Sequence, residues 1–228
     1  MTQQLERHPF FQDAIAAFGY LDAQELGFTI IESFDAAQEQ LPLLKPVTGI
    51  RPMVSRLAIH QVGGFAGSDG IIDLAFPRDM AIQQILEQVP EVIRHETAHV
   101  AHKQHSPGFL TDAGRLFLFA AAISEGIADH AVEELYEFTD TKDWDVDYKD
   151  ESTTEIRGIV SELLRSPPRN QEKIYYEFLF GETDFPLDGY QVGYYLVAAI
   201  AHSQKLNLKQ LMRLPLPEYV DFVEGELL

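Results

Sequence analysis

Residues 94–99 read RHETAH and lie within the aliphatic stretch 89–100. The HExxH spacing predicts a helix in which His95 and His99 sit almost one above the other, because an α-helix has 3.6 residues per turn. Both imidazoles can then reach one metal ion, while Glu96 is turned roughly 100° aside. That position suits a base that takes a proton from a water whose pKa zinc has lowered to about 7. The motif therefore predicts a zinc-binding helix with Glu96 as general base.

The residues around the motif predict where this helix begins and ends. Pro90 suits the first helical position, where its missing N–H group removes no helical hydrogen bond. We therefore predict a metal helix over residues 90–104 that follows a separate short helix over residues 79–88. The sequence Ser-Pro-Gly at residues 106–108 is expected to end it.

Two histidines leave a catalytic zinc site in need of one further protein ligand. Glu125 is the favoured candidate, because it lies in the small-residue stretch 120–129 with Asp129 one helical turn further on. One carboxylate of such an i, i+4 pair can bind the metal, while the other accepts a hydrogen bond from a ligand imidazole and orients it. The spacing therefore predicts Glu125 as a metal ligand and Asp129 as the residue that orients a ligand imidazole.

His105 is the alternative third ligand, because the histidines at 95, 99 and 105 have the spacing HExxHxxGxxH of the metzincins. In that motif a glycine lets the chain leave the helix and return the third histidine to the metal, but here His102 holds the glycine position. The motif is also associated with a methionine turn, but the next methionine in the chain is Met212. His102 itself faces the same side as the motif histidines, either beside the ligands or in solvent at the end of the helix.

Residues 189–195 read GYQVGYY and open an apolar helical stretch. Tyr190 and Tyr194 share a face there. A phenol or an imidazole placed where the oxyanion of a hydrolytic reaction forms is a preorganised donor, and it stabilises charge that is absent from the ground state. The two tyrosines are therefore predicted catalytic donors, with the alternative that they are packing aromatics of a core helix. His130 and His202 are lesser candidates for the same role.

At five positions the sequence resembles the gluzincins, the thermolysin-like class of zinc peptidases. The resemblance implies a base at Glu96, ligands at His95, His99 and Glu125, and Asp129 behind the ligands. The layout of residues 56–202 is similar to a family of zinc-dependent proteases known mainly as uncharacterised domains. The similarity lies in a strand, a Gly-rich turn and a strand before the HExxH helix, then in an EGxA helix and a Gly-Tyr-x-x-Gly segment. It implies a zincin-like metallopeptidase domain that binds Zn2+ and acts on a peptide or protein substrate.

The predicted fold class is α+β and mainly helical, with a small antiparallel sheet packed on the metal helix. Residues 56–62 and 71–76 are predicted to form the two strands of a hairpin, joined by the Gly-rich loop 63–70. In zinc peptidases of this layout a strand edge beside the metal pairs with an extended substrate, and either strand qualifies. The loop does not predict phosphate binding, because it lacks the lysine of a P-loop and precedes a strand.

We predict a single domain over residues 1–228, because 46% hydrophobic content is enough for one sizeable core. Its parts are an N-terminal helical cap over 1–48, a strand hairpin with the metal-binding helices over 50–137, and a helical C-terminal part over 138–228. Further helices are predicted over residues 3–19, 33–44, 112–136, 152–165 and 170–180. The acidic stretch 139–155 is predicted to be a solvated loop, because Tyr148 and Thr154 stand where a calcium loop needs glycine and glutamate.

The charge of the chain limits its partners. A formal net charge of −19 and a pI near 4.6 argue against binding to nucleic acid and to anionic membrane surfaces, both of which need basic patches. The chain has no cysteine, so neither a disulfide nor a thiol nucleophile is available. The first 20 residues lack the unbroken apolar core of a signal peptide, and no later stretch is apolar enough to span a bilayer. A cytoplasmic location is therefore expected.

The favoured function is a zinc-dependent hydrolase that cleaves peptide bonds. A metal-dependent amide hydrolase acting on a small molecule is a second possibility, which a closed pocket without a substrate-binding strand edge would favour. A non-enzymatic zinc domain used for interaction or sensing is the third. A fourth protein ligand such as His102 or His105 would favour it, because structural zinc leaves no open position. The sequence predicts neither the cleavage preference nor the oligomeric state.

Overall fold

The computed structural model describes residues 9–55, 61–67, 69–136, 152–165 and 189–228. These residues are mostly helical and include a small three-stranded sheet, which confirms the α+β class. The strands are β1 (Gly49–Val54), β2 (Gly63–Ala66) and β3 (Ile71–Phe76). The helices are α1 (Pro9–Phe18), α2 (Tyr20–Gln40), α3 (Ile82–His105), α4 (Phe117–Tyr136), α5 (Ser152–Arg165), α6 (Gly189–Gln204), α7 (Leu208–Leu211) and α8 (Leu216–Phe222), with a 3-10 turn at Gly114–Leu116 and a π-helical turn at Val223–Leu227. The chain divides into two compact units, Met1–Ala101 and His102–Leu228.

The sheet belongs to the first unit and has the strand order β1-β3-β2. β3 pairs in parallel with β1 and antiparallel with β2, so the sheet is mixed and the predicted antiparallel sheet is wrong. Ile72, Leu74 and Phe76 of β3 are completely buried and alternate with half-buried residues, as expected for a central strand with one face on the core. Pro52 lies in β1, which is at one end of the sheet, where a missing N–H group is tolerated.

The predicted hairpin differs from the structure in its loop. Residues 63–66, expected in a Gly-rich loop, form β2, with Gly63 opposite Ala75 and Ala66 opposite Ile72. A tight turn follows, and Gly70 has φ +75, a conformation that glycine adopts without strain. The two glycines obscured this strand in the sequence, because glycine has little intrinsic preference for strands. Residues 56–60 of the predicted first strand lie outside the described residues.

The metal helix is a single helix, α3, and not two helices separated before Pro90. Pro90 lies in its interior, where a proline removes one hydrogen bond and costs about 3 kcal/mol. Ile85 and Val89 before the proline and Ile93 after it are completely buried. Because this apolar face continues without interruption through Pro90, tertiary packing outweighs the local cost.

In the second unit α4 packs against α6 with very little space between the two backbones. A β-carbon added at Gly126 would lie 2.1 Å from the carbonyl oxygen of Gly193. One added at Gly193 would lie 1.8 Å from the carbonyl oxygen of Ala122. The two glycines therefore allow the close approach of α4, which carries Glu125, and α6, which carries both candidate tyrosines.

The remaining predicted helices agree with the structure to different extents. The helix predicted over 152–165 is confirmed as α5, while α4 begins at Phe117, after a 3-10 turn, and not at 112. α1 lies within the helix predicted over 3–19, and α2 begins well before the predicted residue 33. α7 and α8 were not predicted. The helix predicted over 170–180 and most of the acidic stretch 139–155 lie outside the described residues, where the solvated loop stays a prediction.

No helix in the described part of the chain combines the length and the apolar composition that crossing a lipid bilayer requires.

Candidate metal centre

The two motif histidines face each other across one turn of α3. Their Nε2 atoms lie 3.1 Å apart, and their rings are nearly perpendicular at 77°. Two nitrogens bound to one tetrahedral zinc ion at about 2.0–2.1 Å each would be about 3.3 Å apart. The observed separation therefore fits a shared metal ion, although two neutral imidazoles can also share an N–H···N hydrogen bond at this distance.

Glu125 of α4 completes a group of three possible metal ligands. Within the described residues, one ligand atom from each of His95, His99 and Glu125 can be chosen so that all three lie within 4.8 Å of one another. The Glu125 side chain is buried, with a relative exposure of 8%. Two imidazoles and one carboxylate are the donor set of His2Glu catalytic zinc sites. The group therefore fits Zn2+.

His105, the alternative third ligand, is not a member of this group. α3 continues as a helix through His105, and six helical residues rotate it roughly 240° from His99. Its Nδ1 accepts a hydrogen bond from Nε of Arg213 at 3.3 Å. The structure thus lacks the turn that a metzincin-type third ligand requires, and His105 is engaged elsewhere.

His102 is buried, with an exposure of 3%, and its ring packs on Phe109 with the centroids 4.6 Å apart. The alternative that His102 is solvated at the helix end is therefore wrong. The helix does not expose this side of its last turn, because Phe109 folds back over it after the break at residues 106–108.

Glu96, the predicted base, lies on α3 next to His95 and is buried, with a relative exposure of 8%. Its side chain lies directly against β2. A β-carbon added at Gly64 would lie 2.5 Å from Cγ and 2.7 Å from Oε1 of Glu96, and 2.7 Å from Cγ1 of Val92. The sequence contains no local signal for this contact, because it joins a strand to a helix about 30 residues later in the chain.

The other predicted site residues on α4 and α6 have different surroundings. Asp129 is half-buried one turn after Glu125, and Tyr190 is half-buried in the first turn of α6. The hydroxyl of Tyr194 donates a hydrogen bond to Oε2 of Glu133, a residue that the sequence analysis did not single out. Glu133 continues the i, i+4 spacing of Glu125 and Asp129, and this repeat is the sequence signal that could have found it.

The position of Glu133 matters for the role of Tyr194. Eight helical residues separate Glu133 from Glu125, a rise of about 12 Å along α4. Tyr194 therefore has its phenol bonded to the carboxylate two turns from the candidate ligand. Of the two lesser candidates, His130 is half-buried and His202 is exposed.

Comparison with known proteins identifies the family but no individual relative. The family DUF2268, described as a predicted Zn-dependent protease, matches residues 26–221, which is most of the chain. No curated protein and no solved structure matches it. The family description and the His, His, Glu group agree on zinc as the metal. Together they show that the chain belongs to the DUF2268 family of predicted Zn-dependent proteases.

Proposed function

We propose that this protein is a zinc-dependent hydrolase that cleaves peptide bonds. The observation that carries the proposal is the convergence of His95, His99 and Glu125, whose ligand atoms lie within 4.8 Å of one another. Three protein ligands leave one position of a tetrahedral metal open for water or substrate, which is the arrangement of catalytic zinc. The description of the family supports a peptide or protein as the substrate.

The chemistry would be divided among the side chains of the site. The two histidines would hold the metal through ring nitrogens, and Glu125 would hold it through a carboxylate oxygen. A zinc ion supplies the acidification of a water molecule and the polarisation of the substrate carbonyl. The carboxylate of Glu96 would accept a proton from the attacking water and pass it to the leaving amine. Asp129 is proposed to orient a ligand imidazole, which would make that imidazole a stronger ligand for the metal.

We propose β2 as the strand along which an extended substrate lies. β2 is at the end of the sheet in the described residues, and its Gly64 lies against Glu96. A peptide laid beside β2 would therefore pass the base. The Phe65 side chain is 65% exposed and offers an apolar contact to one side chain of such a peptide.

Tyr190 and Tyr194 remain the proposed donors to the oxyanion. α6, which carries both, is fixed against the Glu125 helix by the close Gly126 and Gly193 contact, and such rigidity is what a preorganised donor needs. Tyr194 would have to exchange its hydrogen bond to Glu133 for one to the substrate.

The non-enzymatic alternative has less support. It requires a fourth protein ligand to close the site. In the part of the chain that the structure describes, the metal-binding group has three members, and His105 bonds to Arg213 instead.

The proposal is tested by metal analysis joined to cleavage of an unbiased peptide library, with wild type and Glu96→Gln side by side. We expect one zinc per chain in both proteins and hydrolysis by the wild type alone, because glutamine keeps the shape of Glu96 but cannot accept the proton. A Glu96→Gln variant that loses its zinc, or that turns over like wild type, would remove Glu96 from the base role. A zinc-loaded wild type that cleaves no peptide would overturn the proposed function.

A further inference from the structure

Gly64 brings the main chain of β2 close to the proposed base. The β-carbon of any other residue there would lie 2.5 Å from Cγ of Glu96, and real β-carbons do not approach other atoms so closely. It would also lie 2.7 Å from Cγ1 of Val92. Val92 and Glu96 are one helical turn apart, so the main chain of β2 fills the groove between two neighbouring side chains of α3.

The backbone conformation of Gly64 does not by itself require glycine. Its φ is outside the left-handed region, unlike that of Gly70. A β-carbon at Gly49 of β1 would meet no atom within 4 Å, and one at Gly63 would make only an ordinary contact of 3.9 Å with Ala75. The need for glycine at residue 64 is therefore a need for space beside Glu96.

β2 is held in place from two sides, so it has little freedom to move away from a new side chain. Its residues 63–66 pair with the central strand β3. Just before it, the N–H group of Val62 donates to Oε1 of Gln88 on α3 at 2.8 Å. Glu96, in contrast, can rotate about its side-chain bonds. A methyl group at residue 64 would therefore displace the carboxylate of Glu96 before it displaced the strand.

We propose that Gly64 is a positioning residue, which sets the location of the Glu96 carboxylate by leaving room for it under β2. The inference rests on the proposed function, in which Glu96 is the base. A base acts only within hydrogen-bond reach of the proton that it takes, about 2.6–3.2 Å. A misplacement of about 1 Å in a catalytic site can cost about 100-fold in rate.

The test is Gly64→Ala, with Gly49→Ala as the matched control in the same sheet. Both changes remove the same backbone freedom from the unfolded chain, so their effects on stability through that state are alike. We expect Gly64→Ala to lower kcat about 10- to 100-fold, with KM and zinc affinity, measured by chelator competition, within about 3-fold of wild type. Gly49→Ala should keep the wild-type kcat. A Gly64→Ala kcat within about 2-fold of the control overturns the proposal.

A crystal structure of Gly64→Ala provides a readout that does not depend on activity. We expect the Glu96 carboxylate in another rotamer, with both histidines in place; an unmoved carboxylate overturns the proposal. If the wild type cleaves no peptide but Gly64→Ala still displaces the carboxylate, the proposed function fails while the positioning role stands. If Gly64→Ala folds poorly, kcat is compared between Gly64→Ala/Val92→Ala and Val92→Ala, because the shorter residue 92 removes the clash with Val92 and leaves the clash with Glu96. The same loss is expected there, and its absence overturns the proposal.

Discussion

Glu125 and His105 lead to opposite expectations for zinc binding. Glu125 is buried and grouped with the motif histidines, whereas His105 lies outside that group and accepts a hydrogen bond from Arg213. We therefore expect Glu125→Ala to weaken zinc binding far more than His105→Ala does. Asp129→Asn should lie between them, because residues that orient metal ligands typically contribute about 10- to 100-fold in affinity or activity. Competition with a fluorescent zinc chelator measures all three variants.

The same experiment separates the two assignments of the third ligand. His105→Ala is the matched control, since it removes an imidazole only six residues from a motif histidine. If it strips the metal while Glu125→Ala keeps it, the metzincin-like assignment is correct and the gluzincin-like one is wrong.

The phenols of Tyr190 and Tyr194 are proposed to stabilise the oxyanion. If one of them donates to the oxyanion, its replacement by phenylalanine removes a hydroxyl whose effect is confined to the transition state. We then expect kcat to fall about 100- to 1000-fold with little change in KM or zinc content. Steady-state kinetics on each Tyr→Phe variant measures this.

Glu133→Gln is the control for Tyr194, because it changes the same hydrogen bond from the other side. If Tyr194→Phe and Glu133→Gln lower stability alike, the hydrogen bond between α4 and α6 contributes to stability. If only Tyr194→Phe lowers kcat, the Tyr194 hydroxyl acts in catalysis. If both tyrosine variants turn over within a few-fold of wild type, neither phenol is the donor, and His130 and His202 are tested next.

At the scale of elements, the contact between α4 and α6 depends on two glycines. Gly193→Ala would bring a β-carbon to 1.8 Å from a main-chain oxygen of Ala122, so the helices must move apart. We expect this variant to lose about 1–3 kcal/mol of the free energy of unfolding, as is typical of overpacking. Gly158→Ala in α5 is the control, because its β-carbon meets no atom of the described residues within 4 Å. The free energy of unfolding of Gly158→Ala should rise by up to about 1 kcal/mol, because alanine has a higher helix propensity than glycine.

Urea unfolding followed by circular dichroism measures both glycine variants. Equal stabilities for Gly193→Ala and Gly158→Ala would mean that α4 and α6 separate without cost. The close helix contact would then have no part in holding Glu125 and the tyrosines.

Over the whole molecule acidic residues outnumber basic ones, which gives the chain a formal net charge of −19. Repulsion among the acidic groups destabilises a folded chain, and salt screens it, since the Debye length falls from about 30 Å at 0.01 M to about 8 Å at 0.15 M. Arg51 and Asp73 form a bidentate ion pair across the sheet, and the hydrogen bond to Asp73 raises the pKa of Arg51.

We therefore expect the melting temperature of the zinc-loaded protein to rise between 0.01 and 0.15 M sodium chloride. Each kcal/mol of repulsion removed corresponds to about 2–4 °C for a chain of this size. Differential scanning calorimetry at constant pH and zinc concentration measures the shift. A melting temperature that falls with added salt would mean that attractive pairs outweigh the net repulsion.

The sequence by itself determined those features that depend on residues close together along the chain. The spacing of His95 and His99 within one helix sufficed to predict zinc, because helical geometry repeats every 3.6 residues, whereas the role of Glu96 as base stays a prediction. The i, i+4 spacing of Glu125 and Asp129 likewise singled out the residue that the structure groups with the two histidines. The helical character of α4, α5 and α6 followed from composition and periodicity in the same way.

Only the tertiary structure decided which distant segments meet. The parallel pairing of β1 with β3, the strand at residues 63–66 and the continuity of α3 through Pro90 all arise from burial against other elements, which outweighs local preferences. The contacts of Gly64 with Glu96 and of Tyr194 with Glu133 join residues about 30 and 61 positions apart. No local pattern shows which of these distant residues meet. Glycine is needed at residue 64 because α3 leaves no space there for a side chain, and not because of a turn.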